Sequence, residues 1–207
     1  MKGDPRIWQA AILLSLTAFV SIGPPARGAE GPQGEVVEKG IVILVEFPDL
    51  KYDVSREFVQ TRFSQYLRNY VREMSYGKVL LTADVTEKWY MMPAPIGKYK
   101  ISSRNLEVDK SRVRRVIEDA INAADKDVDF SQYSFAVVYL KARVTDFGMI
   151  GLCGYPGMLG WSAENPIKTR GGQSVRGGVA IYCYHAHLGT LFHDIAHILG
   201  GVKDGKR

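Results

Sequence analysis

Residues 40–47 read GIVILVEF, and this run decides the fold class. It is continuously apolar and rich in β-branched side chains, with no alternation between oily and polar positions. A strand half-exposed to water alternates; a strand covered on both faces does not. Pro48-Asp49 ends the run. Two more runs have the same character, FAVVYL at 135–140 and VAIYCY at 179–184. Strands of this kind need helices on both sides of their sheet.

The segments between them supply those helices. Ser55 is an N-cap candidate, and Phe58, Phe63, Tyr66, Leu67, Tyr70, Val71 and Met74 recur at helical spacing until Gly77 stops them. In residues 108–124, Val113, Val116, Ile117, Ala120, Ile121 and Ala124 form one apolar face. Residues 78–92 (KVLLTADVTEKWYMM) alternate as one long strand or a hairpin, closed by Pro93 and Pro95. Residues 146–178 are rich in glycine and read as a long surface loop. A last helix begins at Thr190 and ends at Gly200-Gly201. The expected fold is therefore α/β (α+β), a mixed sheet packed with helices.

The chain has 207 residues, enough for one ordinary domain. Its start reads as a secretory signal peptide over residues 1–28. Lys2 and Arg6 carry the positive charge, an apolar stretch runs over 7–22, and Ala26-Arg27-Gly28 offers small residues at the positions a signal peptidase reads. A polar lead-in at 29–39 and a single domain over 40–207 complete the expected organisation. No second segment is long and apolar enough to span a membrane, so the mature chain is expected outside the cytoplasm, secreted or periplasmic, with no membrane span. The net charge of +5 falls to +3 when Lys2, Arg6, Arg27 and Asp4 leave with the leader. The basic residues are interspersed with acids and form no aromatic-laced stripe, which argues against nucleic acid as a partner. Cys153 and Cys183 are the only cysteines. In an oxidising compartment they either pair and close the glycine-rich loop or stay as two buried thiols.

All four histidines fall together, at His185, His187, His193 and His197. Two of them bracket the pentad His193-Asp194-Ile195-Ala196-His197. Helical residues four apart share a face, so the two imidazoles can take two positions of one tetrahedral Zn²⁺. In the H-E-x-x-H pattern the intervening glutamate is the general base for an attacking water. Here it is Asp194, whose carboxylate is withdrawn by roughly 1.5 Å, one carbon–carbon bond. Misplacement of a catalytic group by about 1 Å can cost on the order of a hundredfold in rate. The pentad thus predicts metal binding better than turnover. A third ligand is required; Asp204 is the only carboxylate after the helix, and earlier acids such as Glu164 stay open. His185 and His187 read as polar surface or cleft lining.

Several stretches together resemble the immune inhibitor A family of secreted zinc metallopeptidases. Residues 43–49 (ILVEFPD) are similar to its opening strand. Glu73, Ser75, Tyr76, Gly77 and Lys78 match its E-x-S-Y-G-K signature, and residues 128–133 (VDFSQY) look like another of its patterns. Residues 189–200 (GTLFHDIAHILG) resemble its G-T-x-x-H-E-x-x-H-x-x-G helix. The resemblance implies a zincin-like fold, hydrolysis of protein or peptide substrates outside the cell, His193 and His197 as zinc ligands, and position 194 as general base. Two departures stand out. Position 194 is Asp, and Gly200 is followed by G-V-K-D, which sets Asp204 one place out of register with the family's aspartate. The domain is accordingly expected to be short at its C-terminus. Two functions follow: an exported zinc metalloendopeptidase, weakened by Asp194, or a catalytically inactive relative or fragment acting as a binding or structural module.

Overall fold

The computed structural model describes residues 29–30, 35–102, 108–154, 159, 161, 165–175 and 177–201. The expected signal peptide, Glu164 and Asp204 lie outside them. The described chain is a mixed α/β fold built on a seven-stranded, mostly parallel sheet.

The first apolar run becomes β2 (Val36–Glu46), which reaches back into the expected lead-in and pairs antiparallel with β1 (Ala29–Glu30). The chain then forms α1 (Arg56–Thr61), a π-helical stretch over Arg62–Leu67 and α2 (Arg68–Met74), which run on as one continuous rod. The reason for the widened stretch is visible in the sequence. The buried positions are Val59, Phe63, Leu67 and Val71, spaced by four. A regular α-helix has 3.6 residues per turn, so a strict four-residue stripe would wind off the sheet. A wider turn keeps it facing inward.

Residues 78–92 are not a hairpin. They form β3 (Val79–Val85) and β4 (Tyr90–Met91), and both run parallel to β2 on successive parts of its length. Thr86 explains the break. Its amide still donates to Val42 O at 3.0 Å, but its hydroxyl accepts from the Leu44 amide at 3.1 Å, replacing the next rung of the ladder by a side chain. Then come α3 (Lys110–Ala124), N-capped by Asp109, and β5 (Phe135–Leu140) beside β2.

The glycine-rich stretch read as a loop holds structure: α4 (Val144–Phe147), β6 (Gly151–Gly154), and the small pair β7 (Ile167–Lys168) and β8 (Ser174–Val175). β9 (Val179–Cys183) lies between β5 and β6, parallel to the first and antiparallel to the second. The last helix is α5 (Leu188–Ala196), with a wide turn over His197–Gly201. Among the described residues no helix is long and apolar enough to cross a membrane.

Each face of the sheet carries one core. Ile41, Ile43 and Val45 of β2 pack with the predicted face of α3. Val42 and Leu44, from the same strand, pack with Val59, Phe63, Leu67 and Val71 and with Leu191 and Ile195 of α5. The same alternation settles the cysteines. Cys183 belongs to the α3 side. Cys153 pairs in register with Ala180, which belongs to the α5 side, so its side chain leaves the opposite face of the sheet. No disulfide joins them. Of the two alternatives the structure has the unbonded thiols, Cys183 buried and Cys153 half-buried, on opposite faces of the sheet.

Tyr139 is fully buried; its hydroxyl donates to Tyr184 O at 2.7 Å and its ring stacks edge-on to Phe63. Burial pushes its hydroxyl up to about 12. The neutral phenol is favoured in the folded state, so its contribution is complete below pH 10 and is lost as pH rises towards 12. Tyr139→Phe is expected to cost about 1 kcal/mol at pH 7. It should also flatten the alkaline loss of stability by about 1.4 kcal/mol per pH unit between pH 10 and 12. Urea titrations at pH 8, 10 and 11.5 check both; an unchanged alkaline slope would contradict the assignment.

Candidate metal centre

Helix α5 starts two residues before Thr190, and the reason is a histidine. His187 caps it: Nδ1 accepts from the Thr190 amide at 3.3 Å and Nε2 lies 3.0 Å from Thr190 Oγ1. Histidine is outside the usual N-cap set of Ser, Thr, Asp and Asn, so the sequence gives little warning of this role. His185 is exposed on the turn before the helix, its ring edge-on to Tyr184 at 5.3 Å. Partial burial, followed by the nearby Arg143, pulls its pKa below the usual histidine value. Neither of these histidines joins the pair at the other end of the helix.

That pair is brought together as the spacing predicts. His193 Nε2 and His197 Nε2 are 3.2 Å apart, with ring centroids at 4.6 Å and planes at 83°. His193 is exposed and His197 half-buried, so the nitrogens meet at the surface of the helix. Two nitrogens held about 2.0–2.1 Å from one tetrahedral ion sit roughly 3.3 Å apart. The donor set therefore suits two of the four positions around a zinc ion. Among the described residues no group of three or more His, Cys, Asp or Glu gathers there or elsewhere.

Asp194 points the other way, towards the sheet. It is only 7% exposed. Its Oδ2 has no hydrogen-bond partner, alone in that respect among the buried side-chain polar atoms of the described residues. Burial raises its pKa to about 6, against a smaller opposing pull from His193. The neighbouring Tyr182 is fully buried, and its hydroxyl donates to Leu191 O at 2.8 Å, tying β9 to the helix. Burial first, then the charge of Asp194, holds that phenol well above its ordinary pKa.

Two glycines let the helix come this close. A Cβ on Gly151 would lie 2.7 Å from Asp194 Oδ2, and one on Gly178 would lie 2.7 Å from Ile198 Cγ2. Neither is conspicuous within a segment so rich in glycine. Trp161 and Tyr90 are buried in the core on the α3 face of the sheet, opposite α5, and Trp89 lies under the Lys141 ammonium at 4.2 Å.

No family model matches the chain, and no curated protein matches it. Among solved structures, metalloproteinase-II from Bacteroides fragilis is similar at 11% identity and a TM-score of 0.42. The match covers 84% of this chain and 46% of that one, so this chain spans less than half of that protein.

The buried carboxyl of Asp194 makes a prediction for the metal-free chain. Its folded pKa is raised, so its neutral form is favoured, and its contribution is lost as pH rises through about 6. The loss is at most about 3 kcal/mol. Asp194→Asn should therefore melt higher than wild type at pH 8 with chelator present, and the gap should close at pH 4. Equal midpoints at both values would show that the carboxylate finds a partner in solution.

Proposed function

We propose that this chain is an exported zinc metallopeptidase-like protein that holds the ion through His193 and His197 and uses Asp194 as general base. The observation that carries the reading is the 3.2 Å approach of the two imidazole nitrogens, with a high-pKa carboxyl on the residue between them. The resemblance of residues 43–49, 73–78, 128–133 and 189–200 to the immune inhibitor A family of zinc metallopeptidases points the same way, as does the leader-like composition of residues 1–28. Asp204 is the proposed third ligand, the first carboxylate after the helix.

In this reading His193 and His197 present neutral imidazole nitrogens from consecutive turns of one helix. Zinc there supplies Lewis acidity towards a peptide carbonyl. Asp194 accepts the proton that an attacking water gives up. Burial raises the proton affinity of this carboxyl, which suits a base, and a cation at the histidine pair would draw it part of the way back down. Placement works against it: the side chain is one methylene shorter than glutamate and lies buried against β6.

That geometry also favours a second reading, a catalytically inactive relative that keeps the metal site and acts as a binding or structural module. Two measurements separate them. Plasma mass spectrometry of the purified chain should find about one zinc per molecule, lost in His193→Ala. No zinc in either protein, even after incubation with it, would refute the metal site. Zinc-dependent cleavage of casein should then fall on the order of a hundredfold or more in Asp194→Ala. Equal activity in wild type and Asp194→Ala would remove the assigned base, and cleavage that appears only in Asp194→Glu would establish the inactive relative.

A further inference from the structure

We propose that Gly151, on the edge strand β6, is a positioning residue for Asp194. Its bare Cα forms the slot that holds the carboxylate, and so fixes where that group stands relative to the histidine pair. The proposal rests on the reading of Asp194 as general base. It adds a residue that neither the pentad nor the family resemblance singles out.

The slot has three defined walls. A Cβ on Gly151 would lie 2.6 Å from Thr190 Cγ2, 2.7 Å from Asp194 Oδ2 and 3.1 Å from Tyr182 Cδ1. Thr190 and Asp194 are one turn apart on α5, so together they form the face that the helix presents to the strand. Tyr182 is the in-register partner of Gly151 across the sheet. The Tyr182 and Thr190 contacts do not yield easily. Tyr182 is fully buried and its hydroxyl is bonded to Leu191 O, so the ring cannot swing out without breaking the tie between β9 and α5. Thr190 is held by the cap, with its hydroxyl and amide both on His187. At the other end of the motif Ile198 rests on Gly178, so the helix cannot tilt away without opening a gap there.

Asp194 Oδ2 is thus the most movable of the three contacts, and a methyl at position 151 would displace it. Its Oδ2 accepts no hydrogen bond that would hold it in place, so the surfaces it packs against define where that oxygen sits. Gly151 therefore does for this side chain what a hydrogen-bonding partner would do elsewhere: it defines one place for it to be.

A thermodynamic cycle tests this without requiring catalysis. Gly151→Ala is made with Asp194 and with Asp194→Ala, all four proteins carrying Thr190→Ser to remove the competing methyl contact. With Asp194 present, Gly151→Ala should lower the melting midpoint by about 5 °C, the scale of one overpacked methyl in a domain of this size. With Asp194→Ala the same change should cost about 1 °C or less, since the slot is then empty. Failure of the Asp194 form to fold, with recovery in the Asp194→Ala form, supports the proposal equally. The same loss in both backgrounds overturns it, because the carboxylate would not be what fills the slot.

A kinetic readout separates positioning from bulk stability. On a fluorogenic peptide that the wild type cleaves, and well below its melting midpoint, Gly151→Ala should keep its zinc and its KM while kcat falls about a hundredfold. An unchanged kcat overturns the positioning role. If the wild-type chain cleaves nothing, the proposed activity fails, while the melting cycle still decides whether Gly151 sets the place of the carboxylate.

Discussion

The constraint behind this structure is that β2, β5 and β9 have no face turned to water. Every residue of β5 and β9 is buried, as are the six from Gly40 to Val45 in β2. A parallel strand in that position must be covered twice, and the two coverings then become fixed parts of the molecule. The helix pair α1–α2 and α5 share one face; α3 takes the other. Even the π-helical stretch follows from this demand. A helix whose buried residues come every fourth position can stay on a sheet only by widening its turn. The motif helix is held by the same requirement, through Leu191 and Ile195, which leaves the histidine pair at the surface and drives the carboxylate inward.

The strands and helices with strong periodicity were legible because burial leaves a pattern in the residues themselves. GIVILVEF, FAVVYL and VAIYCY each became a strand within a few residues of the expected limits, and α3 buries all six residues of its predicted face. What the residues could not convey was pairing. Residues 78–92 alternate as a hairpin would, yet both halves run parallel to β2, because alternation reports exposure and not direction. Strand β6 was hidden for a related reason. Its glycines contribute no hydrophobic signal, and glycine is what the close approach of α5 requires. The cysteines show the limit of counting: two in a chain read as exported leave a bond open, and only the register shows that they leave opposite faces.

At the candidate centre the sequence conveyed the pair and missed its surroundings. The spacing of His193 and His197 is a local property, so a helix prediction is enough to bring their nitrogens together. The capping role of His187 is local but falls to a residue type outside the usual caps, while the tie from Tyr182 to Leu191 and the slot at Gly151 depend on which strand lies beside the helix. Spacing within one helix carries no such information. Asp194 was legible as the carboxylate within the pentad, but the burial of its side chain and the missing hydrogen-bond partner of Oδ2 appear only once β6 is in place.

Two effects oppose each other at Asp194, and their sizes decide which governs. A pKa raised by about two units strengthens a general base; with a Brønsted coefficient near one half, the gain is about tenfold. A cation held by the neighbouring histidines would draw the same carboxyl down and erase part of that gain. Against it stands a reach shorter by roughly 1.5 Å, and misplacement by about 1 Å already costs on the order of a hundredfold. Geometry outweighs basicity here. The histidine pair needs only its own helix to be correct, whereas the carboxylate needs the helix, the edge strand and an empty Cα between them. Under the proposed function, metal binding is therefore the more durable property of this arrangement, and turnover depends on how closely α5 and β6 can meet.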